Sequence, residues 1–155
     1  MRIALASDHG GFALKETIKA ALAERGFAVV DLGSFDGETS VDYPDFAGTV
    51  AKSLLSGETE QGVLICGTGI GMSIAANKYP GVRAALVHDL FTARMAREHN
   101  NANVLVMGGR VLDKDGAVAM VNVWLDARFE GERHQRRLDK IAAIERDVSA
   151  AGQDD

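Results

Sequence analysis

Along almost all of this 155-residue chain, short apolar β-rich runs alternate with longer stretches of helical period. No other feature restricts the possible folds as much. Residues 2–7 (RIALAS), 27–33 (FAVVDLG), 62–66 (GVLIC), 82–88 (VRAALVH) and 103–108 (NVLVMG) read as five strands. Between them, residues 11–26 carry Leu14, Ile18, Ala21 and Leu22 on one helical face, with Gly26 as a stop. Helices are also expected over residues 46–55, over about 71–79, in DLFTARMAREHNNA and in DGAVAMVNVWLDARF. A last one begins near Arg133, with Leu138, Ile141, Ile144 and Val148 as its apolar stripe. Strands that are apolar throughout and separated by helices require a parallel sheet covered on both faces. The expected fold is α/β: a Rossmann-like three-layer α/β/α domain with a five-stranded parallel sheet, spanning residues 1–150 and followed by a disordered tail at 151–155.

Ligands of such folds bind beyond the C-terminal ends of the strands. Those positions hold Ser7, Asp8 and His9; Cys66, Gly67 and Thr68; His88 and Asp89; and Gly108, Gly109 and Arg110. Polar, titratable and glycine residues thus collect on one edge. In VLICGTGIGMSIAANK, glycines at 67, 69 and 71 let backbone N–H groups crowd together just before a helix, which makes an anion cradle. Cys66, the single cysteine, sits at its mouth, where a helix N-terminus enriches the thiolate, the form that can take a proton. A small buried hydrophobe closing a strand would look the same.

Several classes are excluded by simpler features. A net charge of -5 gives no global positive field for nucleic acid. One cysteine cannot form an intramolecular disulfide, and the N-terminal apolar run breaks at Asp8, too early for a membrane span; a soluble cytoplasmic protein is expected. The four histidines lack metal-ligand spacing, so no metal is expected. The glycine spacing is G-x-G-x-G after the third strand, which departs from a dinucleotide fingerprint in both pattern and place.

His99, beside Asn100 and Asn101, falls at a helix C-terminus, where it is either a cap or a general acid–base group. His9 either caps the first helix or contacts a phosphate. Arg133 and Arg137 stand one turn apart on one helix face, suited to a phosphate monoester, although pairing with Glu130, Glu132 and Asp139 on a solvated face is the commoner use of such a run.

Taken together, SDHGGFALK, VDYPDFA, CGTGIGMSIAANK, REHNNANVLVMGGR and FEGERHQRRLDKI closely resemble the type B ribose-5-phosphate isomerases, a group that includes galactose- and allose-6-phosphate isomerases. The resemblance extends to about Ile144. It implies a metal- and cofactor-free interconversion of ribose 5-phosphate and ribulose 5-phosphate. Cys66 would be the base, and Thr68 and His99 would open the sugar ring. The backbone from Gly67 through Gly69 and Ile70 to Gly71 would hold an enediolate. Asp8 would bind sugar hydroxyls; His9, Arg133 and Arg137 would hold the phosphate, with Arg110 close by. Tyr43 and Asn100 would line the pocket. One branch of the family replaces the cysteine with a glutamate later in the glycine loop; MSIAANK has no acid, so this chain falls in the cysteine branch. The group forms homodimers or tetramers with sites shared between subunits. A hexose-6-phosphate isomerase, a nucleotide- or phosphate-binding module and a non-catalytic subunit are the alternatives.

Overall fold

The computed structural model describes residues 1–152. Five parallel strands, β1 (Arg2–Ser7), β2 (Ala28–Asp31), β3 (Gln61–Cys66), β4 (Ala84–Leu86) and β5 (Val104–Gly108), are arranged in the order β2-β1-β3-β5-β4. The helices are α1 (Phe12–Glu24), α2 (Tyr43–Leu55), α3 (Ile70–Ala76), α4 (Leu90–Glu98), α5 (Lys114–Asp126) and α6 (Glu132–Ala151). A single 3-10 turn, His9–Gly11, precedes α1.

The period-2 pleat sorts the strand residues into two cores. Ile3, Leu5, Val63, Ile65, Leu105 and Met107 meet α1, α4 and α5 through Leu14, Ile18, Leu22, Ala93 and the fully buried Trp124. Ala4, Ala6, Leu64, Cys66, Val104 and Val106 meet α2 and α3 through Ala47, Val50 and Met72. All six residues of β3 are buried, as a central parallel strand covered on both faces must be. The three-layer architecture expected from the alternation is therefore the one observed.

Local differences have local causes. Helix α2 begins at Tyr43, three residues earlier than the apolar pattern suggests, because Pro44 occupies its first turn, where no N–H is needed. The fourth strand shrinks to three residues at the sheet edge. Helix α6 departs furthest. Of its expected stripe only Leu138 is buried, while Ile141, Ile144 and Val148 are exposed. Ala151 is the last residue of α6 and Gly152 its C-cap, so the helix enters the segment expected to be a tail, whose residues 153–155 lie outside the described ones.

Fully buried Lys15 anchors α1 to the sheet. Its Nζ donates to both carboxylate oxygens of Asp31 at 2.8 Å, and Lys19 reaches the same carboxylate at 2.6 Å. Burial alone would push the Asp31 carboxyl up, but the two lysines and the N–H of Gly33 hold it below the usual carboxylate range.

Candidate active site

The chain steps from β1 out to β2 and then returns to β3 on the other side of β1. Crossovers therefore diverge between the C-terminal ends of β1 and β3, the switch point where open α/β sheets leave a crevice. Asp8 and Cys66 stand on either side of it. The N–H of Asp8 donates to Ile65 O at 3.1 Å, which ties the two strand ends together. The Asp8 side chain, 8% exposed, accepts from Gly11 N at 3.0 Å and so caps the turn before α1.

The glycine turn wraps the sulfur. Cys66 is buried at 5% exposure, and its Sγ accepts the N–H of Gly69 at 3.1 Å. A donor aimed at sulfur suits a negatively charged acceptor. Gly69 has a φ of 80°, the left-handed region that glycine enters without steric cost. A Cβ there would lie 2.5 Å from Leu86 Cδ1 and 2.9 Å from the Met107 carbonyl carbon, so the turn is pressed against β4 and β5. Thr68 is exposed, and its Oγ1 accepts from Ile70 N at 3.3 Å. Among the described residues, the N–H groups of Gly67 and Thr68 have no partner and remain open to a ligand.

Three more expected residues close around this turn. Arg110, held by its N–H to Gly67 O at 3.0 Å, lays its guanidinium between two glycine backbones. A Cβ on Gly67 would be 3.3 Å from Arg110 Nη1, and one on Gly10 would be 3.4 Å from Nη2 and from Asp8 Oδ1. The Tyr43 ring, 39% exposed, packs on Gly71, where a Cβ would come within 2.5 Å of Cζ. His9 Nδ1 accepts the N–H of Val41 at 3.2 Å, so in the neutral ring the proton sits on Nε2 and that edge is a donor.

The remaining expected residues lie at the opposite edge of the same sheet. Helix α4 leaves the C-terminal edge at Leu90 and runs back for about 13 Å. His99 caps its end, with its N–H donating to Met95 O at 3.0 Å. The following residues abut the strand starts: Gly62 N donates to Asn103 O, and Asn103 N to Arg83 O. His99 and Cys66 are thus separated by roughly the length of a strand, on the order of 15 Å. Glu130 N donates to Glu98 O at 3.0 Å, which brings the start of α6, and with it Arg133 and Arg137, to the His99 end. Both arginines are exposed, and among the described residues neither pairs with Glu130, Glu132 or Asp139, as a simple solvated face would have it. Asn100 lies apart from Cys66 too, in a groove of about 460 Å³ under α6 that is lined by Val82, Arg83, Leu138, Ile141 and Ile144.

In this second group nothing in the sequence pattern marks His134, and Glu130 is expected only as a pairing partner of the arginines. Glu130 and His134 gather at His99: the imidazoles of His99 and His134 stack at 4.2 Å and 11°, and Glu130 Oε2 lies 3.9 Å and 3.3 Å from their respective Nε2 atoms. Glu130 precedes α6, whose N-cap Gly131 has a φ of 69°, so its approach to His134 comes from the loop and not from helical spacing; nothing local ties either residue to a histidine some thirty residues earlier.

No helix among the described residues is long and apolar enough to cross a membrane. A family model described as Ribose/Galactose Isomerase matches residues 3–141. The chain is 47% identical to ribose-5-phosphate isomerase B of Escherichia coli K12 over 144 residues, covering 93% of this chain and 96% of that one. Among solved structures, ribose-5-phosphate isomerase B of Clostridium thermocellum matches with a TM-score of 0.94 at 51% identity, covering 96% of this chain and 99% of that one. The Mycoplasma genitalium ribose-5-phosphate isomerase B, solved with bound ribulose-5-phosphate, matches at 0.89 and 46%, covering 94% and 96%. With a glycine turn around a sulfur at the switch point of the same fold, and near-complete coverage on both sides, the chain belongs to the ribose/galactose isomerase family.

Proposed function

We propose that this chain interconverts ribose 5-phosphate and ribulose 5-phosphate through an enediolate. The observation that carries the reading is the buried Cys66 sulfur, which accepts the Gly69 N–H beside the unpartnered N–H groups of Gly67 and Thr68. The sulfur takes the C2 proton of the open-chain aldose. The C–H electron pair becomes the C1–C2 double bond, and the C1 oxygen takes up charge that the turn's N–H groups stabilise. Return of the proton to C1 and passage of the O2 proton to O1 complete the ketose. Electrons stay within the substrate, so no redox partner is called for. A base that moves one proton between adjacent carbons satisfies both directions.

Ribose 5-phosphate is a closed ring in solution and has to be opened first. The C1 hydroxyl loses its proton as the C1–O4 bond breaks, and O4 is protonated. His99 and Thr68 take these roles. Asp8 binds sugar hydroxyls, with Tyr43 and Asn100 at the pocket wall. His9, Arg110, Arg133 and Arg137 hold the phosphate, whose binding energy fixes the reacting carbons. Because His99 and the two α6 arginines lie a strand length from Cys66, the reading requires a second copy of the chain, each copy's His99 end completing the other's glycine turn. The exposed Ile70, Ile74, Leu90 and Phe91, near that turn, and Ile141, Ile144 and Val148 on α6 support such an association.

Turnover of ribose 5-phosphate, compared with allose 6-phosphate, tests the assignment; a clear preference for the hexose overturns the substrate. Cys66→Ala is expected to abolish isomerisation and to leave sugar-phosphate binding nearly intact. Near wild-type turnover in that variant removes the proposed base.

A further inference from the structure

The group at the start of α6 is more ordered than an end-capping histidine needs. His134 is 4% exposed, lies flat against His99, and accepts from Arg133 Nε through its own Nε2 at 3.4 Å. Three groups able to ligate a metal, on His99, Glu130 and His134, lie within 4.8 Å of one another. A shared ion does not fit the ring geometry. Imidazole lone pairs lie in the ring planes, and two planes 11° from parallel send them side by side instead of to one point. The guanidinium at His134 Nε2 also occupies the lone pair an ion would need, with a like charge.

The arrangement fits proton handling. A ring that accepts from Arg133 through Nε2 carries its own proton on Nδ1 and is neutral. Burial, helped by His99, Arg133 and Arg137 and opposed by Glu130, also holds the His134 imidazole below its ordinary range. Glu130 Oε2, 3.3 Å from His134 Nε2 and 3.9 Å from His99 Nε2, lies beside both rings. We propose that His134 is a positioning residue for His99: its buried ring, held by Arg133 and stacked face to face, fixes the plane of the His99 imidazole. The proposal rests on the isomerase reading for its kinetic consequence, but not for its geometry.

The deciding experiment compares His134→Ala and His134→Phe in the intact chain, each alone and combined with His99→Ala. Loss of the stacked plane lets His99 wander by an ångström or so, which costs roughly ten- to a hundredfold in kcat on ribose 5-phosphate, with KM within about threefold. Phenylalanine keeps the plane and recovers most of the loss. On a His99→Ala background, His134→Ala costs nothing further, because its effect passes through His99. Carbon-13 NMR of the His99 Cε1–H group supplies a readout independent of turnover. That proton moves downfield when the stacked ring is deleted and stays in place with phenylalanine. Equal losses in the two variants, additive losses with His99→Ala, a KM effect alone, or an unmoved His99 resonance overturns the proposal. An inactive wild-type protein with the NMR pattern intact overturns the isomerase reading instead.

Discussion

Alanine placed at two glycines of the turn, Gly69 and Gly71, separates backbone obstruction from side-chain obstruction. At Gly69, φ is 80°, and a Cβ would meet Leu86 Cδ1 at 2.5 Å and the Met107 carbonyl carbon and oxygen at 2.9 and 3.0 Å. The left-handed conformation costs a non-glycine residue about 1–2 kcal/mol. Met107 sits in β5, buried between neighbouring strands, and cannot yield, so the turn must move by several tenths of an ångström and adds a similar overpacking cost. The sum is about 3 kcal/mol. With a urea slope of about 2 kcal/mol per molar, the unfolding midpoint falls by about 1.5 M. The same movement carries the Gly69 N–H off the Cys66 sulfur, and a displacement approaching 1 Å costs on the order of a hundredfold in turnover. At Gly71 the obstacle is instead the Tyr43 ring, which is partly exposed and free to swing, and Gly71 lies inside α3, where alanine gains about 1 kcal/mol of helix propensity. Gly71→Ala should therefore unfold near the wild-type midpoint and show its effect in KM. Urea melts and steady-state kinetics on the same preparations, at one protein concentration, test both. A Gly69→Ala protein with wild-type midpoint and turnover, or a Gly71→Ala protein as damaged as Gly69→Ala, would refute the reasoning.

Removing one partner of a buried pair strands the other, so Asp31→Asn, which leaves fully buried Lys15 with only the part-exposed Glu16, should cost about 3 kcal/mol. Lys15→Met should cost far less, because Asp31 keeps Lys19; similar denaturation midpoints for the two variants would contradict this. Arg137→Ala should raise KM for the sugar phosphate at least tenfold and leave unfolding unchanged, which kinetics at several phosphate concentrations can check. For pH, the sign follows from His134: folded, it resists protonation, while the unfolded chain takes up that proton as pH falls through about 6.5. The unfolded state then binds more protons, so stability declines below that pH. His134→Phe should flatten this decline in urea melts between pH 7.5 and 5.5. A decline identical in both proteins would rule the group out.

The sheet could be read from the sequence because each strand is apolar on both faces and each helix carries its own period; Leu14, Ile18 and Leu22 are buried where the spacing put them. The residues after the strands were legible for the same reason, and Asp8, Cys66, Thr68 and Arg110 do meet around one turn. Two things could not be read this way. Periodicity marks the Ile141–Ile144–Val148 face of α6 as apolar but does not say what covers it, and among the described residues nothing does. The distance from His99 to Cys66 depends on α4 running back across the sheet, a tertiary fact with no local signal. The stack with His134 joins two helices through a contact that neither pattern encodes.

The placement of sulfur and imidazole on opposite margins of one sheet has a consequence for mixtures. Under the two-copy arrangement, a protein lacking only the Cys66 thiol and one lacking only the His99 ring are both dead by themselves. Combined at random, half of their dimers are hybrids, and each hybrid reunites one unbroken set of groups while concentrating both defects in the other. About a quarter of full activity should then reappear from two inactive parents.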